Sequence, residues 1–341
     1  MSDTSLTIGG VTVQPGERAV IDLPVANLYT HTELHMPVQV INGRRPGPTL
    51  FVCAAVHGDE LNGVEVIRRL LASKSLRGMR GRLIAVPIVN IHGFLDLSRY
   101  LPDRRDLNRS FPGRERGSIA ARLAHLFATE ILVHADCGID IHTGALNRSN
   151  LPQIRANLDD PKTLELAEAF GVPVIINANL RDGSLRAAAS QQGVTTLLYE
   201  AGEALRFDEV GIRGGLRGTL NVMRKLGMLP PREDRRVTLN TVMARETRWV
   251  RAPGSGIVRM QARLGQRVNQ GDVLAILSDA FGQGETHAIA DFSGLVIGRS
   301  NLPLAHEGDA LVHLAAFESV SLAANTVEEF QAEHRQSIEL R

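Results

Sequence analysis

Between residues 33 and 229 the chain alternates between short apolar runs and segments whose apolar residues recur every three or four positions. Short runs rich in β-forming residues predict buried strands, and the longer period predicts amphipathic helices. The predicted strands are residues 34–41, 49–56, 83–89, 138–144, 172–176 and 195–200. The predicted helices lie within residues 63–72, 118–132, 161–170, 185–192 and 207–226. This alternation predicts an α/β fold with a parallel or mixed central sheet and flanking helices.

The pattern changes after a charged, proline-containing segment at residues 230–236, beyond which short β-runs are separated by glycine turns. These runs form an internal repeat of two units. The first unit consists of residues 252–258 and 271–277, and the second of the corresponding residues 290–296 and 308–314. The repeat resembles a biotinyl/lipoyl-type barrel-sandwich. Carrier domains of that type present a lysine between the two halves, but residues 278–287 contain none. We therefore expect a structural or capping domain.

Four segments follow from this pattern, because 341 residues exceed the length of one typical core. The predicted division is an N-terminal β extension, an α/β domain, a β-rich barrel-sandwich-like domain and a C-terminal tail. Their bounds are residues 1–32, 33–235, 236–320 and 321–341.

The composition argues against several classes of function but does not point to one. A formal net charge of +1 gives no global field, so neither nucleic acid nor a membrane surface is expected as a partner. The N-terminus lacks the basic and apolar segments of a secretory signal, and no apolar run approaches the roughly 20 residues that cross a bilayer. Cys53 and Cys137 both lie in apolar runs. We therefore expect buried free thiols and a cytoplasmic protein.

The first candidate chemistry is a metal site. His57 and Glu60 follow the predicted strand 49–56 and are three residues apart, so a helix beginning there would place them on one face. An imidazole and a carboxylate that converge in this way suit zinc. His142, at the end of another β-rich run, is the candidate third ligand. Three protein ligands leave a fourth position for water, as a catalytic zinc requires.

Further polar groups follow other predicted strands. Glu200 ends an apolar strand, where an unpaired buried carboxylate is costly, and it could act as a general base. Glu203 competes with it but lies past Gly202 and is expected in a loop. Residues 98–113 predict a long loop whose arginines suit carboxylate recognition. A solvated basic loop is the alternative interpretation of that composition.

Together these segments resemble the succinylglutamate desuccinylase/aspartoacylase family, a branch of the zinc carboxypeptidase-like hydrolases. The segments that match, in the order of the family, are His57-Gly58-Asp59-Glu60, Arg99, Asp106-Leu107-Asn108-Arg109, Phe111-Pro112-Gly113, His142 and Glu200-Ala201-Gly202. The resemblance covers roughly residues 30–230, and a β-rich C-terminal domain is also typical of the family. Within the family, residues 98–113 are similar to those of N-acetyl-diaminobutyrate deacetylases.

The resemblance implies a zinc carboxypeptidase-like fold and one zinc ion per chain. It implies that His57, Glu60 and His142 are the zinc ligands. It also implies that Glu200 is the base that activates the zinc-bound water and then passes the proton to the leaving amine.

The resemblance further assigns residues to the substrate. Arg99 matches the arginine that polarises the scissile carbonyl, although variable spacing within the family leaves Arg104 as a rival. Asn108 and Arg109 match the pair that holds the α-carboxylate of the substrate, and Arg186 is a further candidate contact.

The resulting prediction is a zinc amidohydrolase that removes a short acyl group, acetyl or succinyl, from a small N-acyl amino acid. The alternative is a zinc carboxypeptidase acting on peptides, and a second domain that covers the site would argue against it. A third hypothesis, a binding or carrier protein on a degenerate hydrolase, conflicts with the intact set of candidate residues. An exposed edge of the second domain could make the protein a homo-oligomer.

Overall fold

The computed structural model describes residues 5–231 and 241–336. The expected charged linker and the boundary at residue 235 fall mostly on residues 232–240, outside the described residues. The last five residues of the expected tail, 337–341, are also outside them.

The first part of the chain alternates between strands and helices. Its strands are β1 (Leu6–Ile8), β2 (Val11–Val13), β3 (Arg18–Asn27), β4 (Glu33–Asn42), β5 (Arg45–Ala54), β6 (Arg80–Val86), β7 (Cys137–Gly144), β8 (Arg148–Ala156), β9 (Val174–Asn177) and β10 (Thr195–Glu203). Its helices are α1 (Asn62–Ala72), α2 (Ile91–Leu95), α3 (Ile119–Glu130), α4 (Pro161–Phe170), α5 (Leu185–Gln191) and α6 (Glu209–Lys225).

The second part consists of strands followed by one helix. These are β11 (Val242–Ala244), β12 (Glu246–Arg251), β13 (Gly256–Met260), β14 (Arg267–Val268), β15 (Val273–Ser278), β16 (Thr286–Ile289), β17 (Gly294–Ser300), β18 (Leu304–Ala305), β19 (Ala310–Ala316) and α7 (Val320–Gln336). The helices of the described ranges include none that is both long and apolar enough to cross a membrane.

The expected mixed α/β fold with flanking helices is confirmed. Among the described residues the main sheet has 13 strands, and its path runs β12-β19-β17-β8-β10-β7-β5-β6-β4-β3. The strands β10, β7, β5 and β6 are parallel to one another at its centre, while β8 pairs antiparallel with β10. The central strand β5 is buried on both faces: Leu50 and Val52 pack on one side, Phe51 and Cys53 on the other. This explains why its sequence is continuously apolar.

The structure differs from the sequence-based expectation in two segments. The segment between the predicted strands 34–41 and 49–56 is mostly strand, because β4 continues to Asn42 and β5 begins at Arg45. The strand β8 was not predicted at all. Within residues 1–32, β3 pairs with β4 along the edge of the main sheet.

The C-terminal strands continue the same sheet. Residues 298–300 of β17 pair antiparallel with residues 148–150 of β8. Four further strands, β16, β15, β13 and β18, form a separate sheet. The division into domains and the barrel-sandwich likeness of this region remain predictions. The consequence for the site is that C-terminal residues lie directly beside β8.

Candidate active site

The three proposed metal ligands come from the turn that follows β5 and from the neighbouring strand β7. His57 and Glu60 lie in the turn between β5 and α1, and the amide of Glu60 donates a 3.1 Å hydrogen bond to the carbonyl of His57. The expectation that they share a helix face was wrong, because α1 begins only at Asn62. His142 lies in β7, which pairs in parallel with β5. The turn, rather than a helix, therefore brings the side chains of His57 and Glu60 together.

A glycine allows this turn to pack closely. A Cβ atom at Gly58 would lie 1.9 Å from the carbonyl carbon of Gly93 in α2. Any side chain at residue 58 would force the turn away from α2 and displace the neighbouring His57.

The ligand atoms converge on one point. His57 Nδ1 lies 2.7 Å from Glu60 Oε1, and His142 Nδ1 lies 2.8 Å from Glu60 Oε2. The potential ligand atoms of the three residues all lie within 4.8 Å of one another, and all three residues are buried. Two imidazoles and one carboxylate are a donor set suited to zinc, so the residues present fit that ion.

A carboxylate orients each imidazole from behind. The second ring nitrogen of His57 lies 3.2 Å from Asp106 Oδ1, and that of His142 lies 2.8 Å from Asp140 Oδ2. Such partners fix the ring orientation and raise the basicity of a metal-ligating histidine. Sequence reasoning assigned no role to either aspartate. A signal existed for Asp140, since residues two apart in a strand face the same side.

Opposite charges dominate the electrostatics of this cluster. Burial opposes protonation of His57 and His142, but Glu60 together with Asp106 raises the pKa of His57, and Asp140 together with Glu60 raises that of His142. Burial likewise disfavours the charged carboxylate of Glu60, yet the two histidines hold its pKa below the usual range. The pocket thus keeps Glu60 ionised and ready to bind a cation.

Arg99 lies beside the ligands and its rival does not. Its Nη1 is 3.3 Å from Glu60 Oε1, and its Nη2 donates a 3.0 Å hydrogen bond to Asp106 Oδ2. Arg104 is exposed, has a φ of 61° and lies in the loop away from the lining of the cavity. The geometry favours Arg99 for a contact with substrate.

Strand register places Glu200 next to the ligands. Glu200 of β10 is paired with His142 of β7, so the two side chains emerge from adjacent parallel strands on one face of the sheet. Glu200 Oε2 accepts a 2.6 Å hydrogen bond from Asn150 and a 3.4 Å bond from Gln153. Arg155 Nε lies 3.5 Å from the same oxygen. All three of these neighbours belong to β8.

Glu203 has a different environment. It belongs to β10 rather than to a loop, and its carboxylate accepts hydrogen bonds from the amide of Asn147 and from the side chain of Asn301. Glu203 therefore tethers the β7–β8 turn to the segment after β17. Of the two candidate bases, Glu200 is the one that lines the cavity.

The long loop 98–113 closes the opposite wall. Asn108 Oδ1 accepts a 2.9 Å hydrogen bond from the amide of Leu185, which fixes the loop to the start of α5 and leaves the amide NH2 group as the available donor. Arg109 and Arg186 line the same cavity as Asn108. All eight predicted site residues are thus brought together.

That cavity has a volume of about 190 Å³. Its lining includes residues that the sequence did not reveal: Arg148, Asn150 and Arg155 from β8, Arg181, Ser184 and Trp249. Trp249 comes from β12, and the guanidinium of Arg148 lies 5.3 Å from the centre of its ring. The C-terminal region therefore supplies part of the wall.

Comparisons with known proteins show which proteins this chain is similar to. The model of the succinylglutamate desuccinylase/aspartoacylase catalytic domain matches residues 46–226. The N-alpha-acetyl-L-2,4-diaminobutyric acid deacetylase of Halomonas elongata is 27% identical over 317 residues, which cover 88% of this chain and 91% of that protein.

Solved structures give the same result. A succinylglutamate desuccinylase/aspartoacylase from Rhodobacter sphaeroides is 27% identical with a TM-score of 0.79, covering 88% of this chain and 96% of that chain. The product-bound ectoine utilization protein EutE (DoeB) from Ruegeria pomeroyi is 27% identical with a TM-score of 0.78, covering 88% and 94%. Since the family model spans more than half of the sequence, the chain belongs to the succinylglutamate desuccinylase/aspartoacylase family.

Proposed function

We propose that the protein is a zinc-dependent amidohydrolase that removes an acetyl or succinyl group from an N-acyl amino acid. The observation that carries the proposal is the convergence of three buried metal-ligand side chains and one carboxylate, Glu200, in a single cavity. The deacetylase name of the Halomonas relative supports the reaction type.

His57, Glu60 and His142 would hold the metal. When bound, Zn²⁺ supplies a Lewis acid that polarises a carbonyl oxygen and lowers the pKa of a bound water to about 7. Glu200 takes a proton from the attacking water and delivers it to the amide nitrogen as the C–N bond breaks. The products are a carboxylate and a free amine. Asn150 holds Glu200 in place for both transfers.

Two further groups orient the substrate. Arg99, already beside the ligand cluster, donates to the carbonyl oxygen and stabilises the negative charge that develops there. Asn108 and Arg109 hold the α-carboxylate, so that the amide is aligned over the ligands before reaction.

The alternative, a carboxypeptidase acting on long peptides, has less support. A volume of about 190 Å³ suits a small N-acyl amino acid. Trp249 from the C-terminal region forms part of the wall and limits the space for a longer substrate. The Halomonas elongata relative is named as a deacetylase and the Rhodobacter sphaeroides relative as a succinylglutamate desuccinylase/aspartoacylase.

The experiment is amine release from a panel of N-acetyl and N-succinyl amino acids and of peptides with free C-termini. Each reaction is run with the chelated protein and again after zinc is restored. We expect turnover of small N-acyl amino acids only, lost on chelation and recovered with zinc. Turnover of peptides would move the assignment to a carboxypeptidase, and turnover that survives complete metal removal would contradict the mechanism.

A further inference from the structure

One short hydrogen bond holds the carboxylate of the proposed base. Asn150 is buried, and its Nδ2 donates to Glu200 Oε2 over 2.6 Å. The other two β8 neighbours of that oxygen are farther away: Gln153 Nε2 lies at 3.4 Å and Arg155 Nε, which has no hydrogen-bond partner, at 3.5 Å. Hydrogen bonds to an ionised group are strong and depend steeply on distance and angle. The direction of the Glu200 carboxylate therefore depends mainly on where the amide of Asn150 lies.

Asn150 reaches Glu200 because the register of β8 shifts beside β10. Glu200 is paired with Gln153, whereas Gly202, two residues later in β10, is paired with Asn150, three residues earlier in β8. In a regular strand, residues three apart face opposite sides. The extra residue of β8 at this irregularity turns both amides toward Glu200, as a bulge beside an active site often does. The shift brings Asn150 to the base, but its other side must also be held.

The other side of Asn150 packs against β17. Gly298 is paired with Asn150, and a Cβ atom at Gly298 would lie 2.8 Å from Asn150 Oδ1 and 3.2 Å from His313 Cβ. The backbone of Gly298 does not have a positive φ, so glycine is needed there for space rather than for conformation. The side chain of Asn150 is therefore held between Glu200 on β10 and the backbone of β17.

Asn301 fastens the end of β17 to the start of β8. Its backbone amide donates a 2.7 Å hydrogen bond to the carbonyl of Asn147. Its side-chain Nδ2 donates to Ser149 Oγ over 2.6 Å and to the buried carboxylate of Glu203 over 2.8 Å. A hydrogen bond to a carboxylate is stronger than one between neutral groups. These contacts fix the residues that directly precede Asn150.

We propose that Gly298 and Asn301 are positioning residues for the hydrolysis: they fix the amide of Asn150, which directs the carboxylate of Glu200 into the cavity. The inference rests on the proposed role of Glu200 as the base, and it extends that role to the C-terminal region. A general base must keep its carboxylate within hydrogen-bond reach of the proton that it takes, and a small displacement is costly in rate. Neither Gly298 nor Asn301 lines the cavity, so both act through Asn150.

The first test crowds Asn150 from behind. Gly298→Ala places a methyl group against Asn150 Oδ1, so kcat for the best substrate of the panel should fall about 10- to 100-fold, the range for a lost hydrogen bond to a charged group. KM and the zinc content should stay unchanged. The matched control is Gly254→Ala, whose Cβ would have only Thr286 Oγ1 nearby, at 3.6 Å, and it should keep the wild-type kcat. An unchanged kcat in Gly298→Ala, or a fall that lost zinc accounts for, would overturn the inference.

A double-mutant cycle tests whether Gly298 acts through Asn150. Asn150→Ala removes the amide, so adding Gly298→Ala to it should lower kcat no further, because the methyl group then has no amide to displace. Residues that act through one shared contact are non-additive in this way. A purely structural role of Gly298 would give losses that multiply in the double variant, and that result would overturn the inference.

The second positioning residue is tested without adding bulk. Asn301→Ala removes the bonds to Ser149 and Glu203 and should lower kcat about 2- to 10-fold, the range for lost hydrogen bonds near the surface, with KM unchanged. Asn269→Ala, at an exposed position of the same region, is the control and should change neither quantity. A wild-type kcat in Asn301→Ala, or an equal change in KM, would contradict its positioning role.

An NMR measurement separates a failure of this inference from a failure of the proposed function. The side-chain amide signal of Asn150 is assigned as the one that disappears in Asn150→Ala. In the substrate-free protein this signal should shift in both Glu200→Gln and Gly298→Ala, but not in Gly254→Ala. These shifts would support the positioning role even if the protein hydrolyses none of the panel. A signal that Gly298→Ala leaves unchanged would overturn the inference even if the hydrolase assignment stands.

Discussion

The two sides of the cavity are built on opposite electrostatic principles. On the β5–β7 side, His57 and His142 each lie between Glu60 and a second carboxylate, so cations and anions alternate. On the β8–α5 side, the positive charge of Arg155 adds to the effect of burial in lowering the pKa of Arg186, and the carboxylates Asp140 and Glu200 oppose it. Glu200 also lies 3.5 Å from the Nε of Arg155.

Because of this difference, one side of the cavity is suited to a cation and the other to an anion. A cluster of ionised carboxylate and imidazoles that converge within 4.8 Å is arranged for a cation. A cluster of guanidiniums with unfilled donors is arranged for an anion. Glu200 lies where the two sides meet, because it is paired in register with His142 on one flank and Gln153 on the other. The sharpest tests change one side and measure whether the other is affected.

The largest effect is expected from the loss of a metal ligand. His142→Ala removes one of three donors, so bound zinc should fall from one per chain to near zero and hydrolysis should be lost. Metal analysis and amine release measure the two quantities. His287→Ala, at an exposed histidine of β16, is the control and should change neither. Full zinc content in His142→Ala would remove this residue from the ligand set.

The next effect concerns the carboxylate between the two sides. Glu200→Gln should lower kcat by about 10²- to 10⁴-fold, the typical contribution of general acid–base catalysis, with the metal retained. Glu203→Gln is the matched comparison, because its carboxylate accepts bonds from Asn147 and Asn301 outside the cavity. Greater loss in Glu203→Gln than in Glu200→Gln would exchange their roles.

A smaller effect is expected from Asp140, which contacts the ligand His142 on the side of the ring away from Glu60. Asp140→Asn weakens the partner of His142 Nε2, so the affinity for zinc should fall about 10- to 100-fold. Competition with a chelator of known affinity measures it. Asp182→Asn, at an exposed position before α5, should leave the affinity unchanged. An unchanged affinity in a folded Asp140→Asn protein would show that this carboxylate does not support the ligand.

The smallest effect on activity is expected on the arginine side, where the predicted change is in stability. Burial, and then the charge of Arg155, lower the pKa of His313 from 6.5 to about 3. The unfolded chain therefore binds a proton that the folded chain does not, and stability falls as pH drops from 6.5 towards 3. The slope from this group is at most about 1.4 kcal/mol per pH unit.

Denaturant unfolding at several pH values checks this prediction. His313→Phe should have a shallower acid slope than the wild type, whereas His306→Asn, at an exposed position, should keep it. An NMR titration of His313 should also show its pKa rising in Arg155→Gln. A normal pKa for His313 in the wild type would contradict the positive field inferred for this side.

Sequence reasoning succeeded where the pattern is local. The apolar runs predicted β5, β7 and β10 because buried parallel strands are continuously apolar, and the polar residues at their ends stood out against that background. It failed at β8, whose sequence mixes Arg148, Asn150, Pro152, Gln153 and Arg155 with few apolar residues. That composition is typical of a loop. The polar residues are there because Asn150, Gln153 and Arg155 face Glu200 and the cavity.

The sequence by itself determined most strands and helices of the α/β layer, the likeness to one hydrolase family, and the residue types of the candidate ligands and base. Only the tertiary structure decided which of these residues contact one another. The pairing of Glu200 with His142, the aspartate behind each imidazole and the uncompensated arginines all depend on strands far apart in the chain. Local periodicity reports only which face of a strand is buried. Register and charge balance between distant segments arise when the sheet assembles.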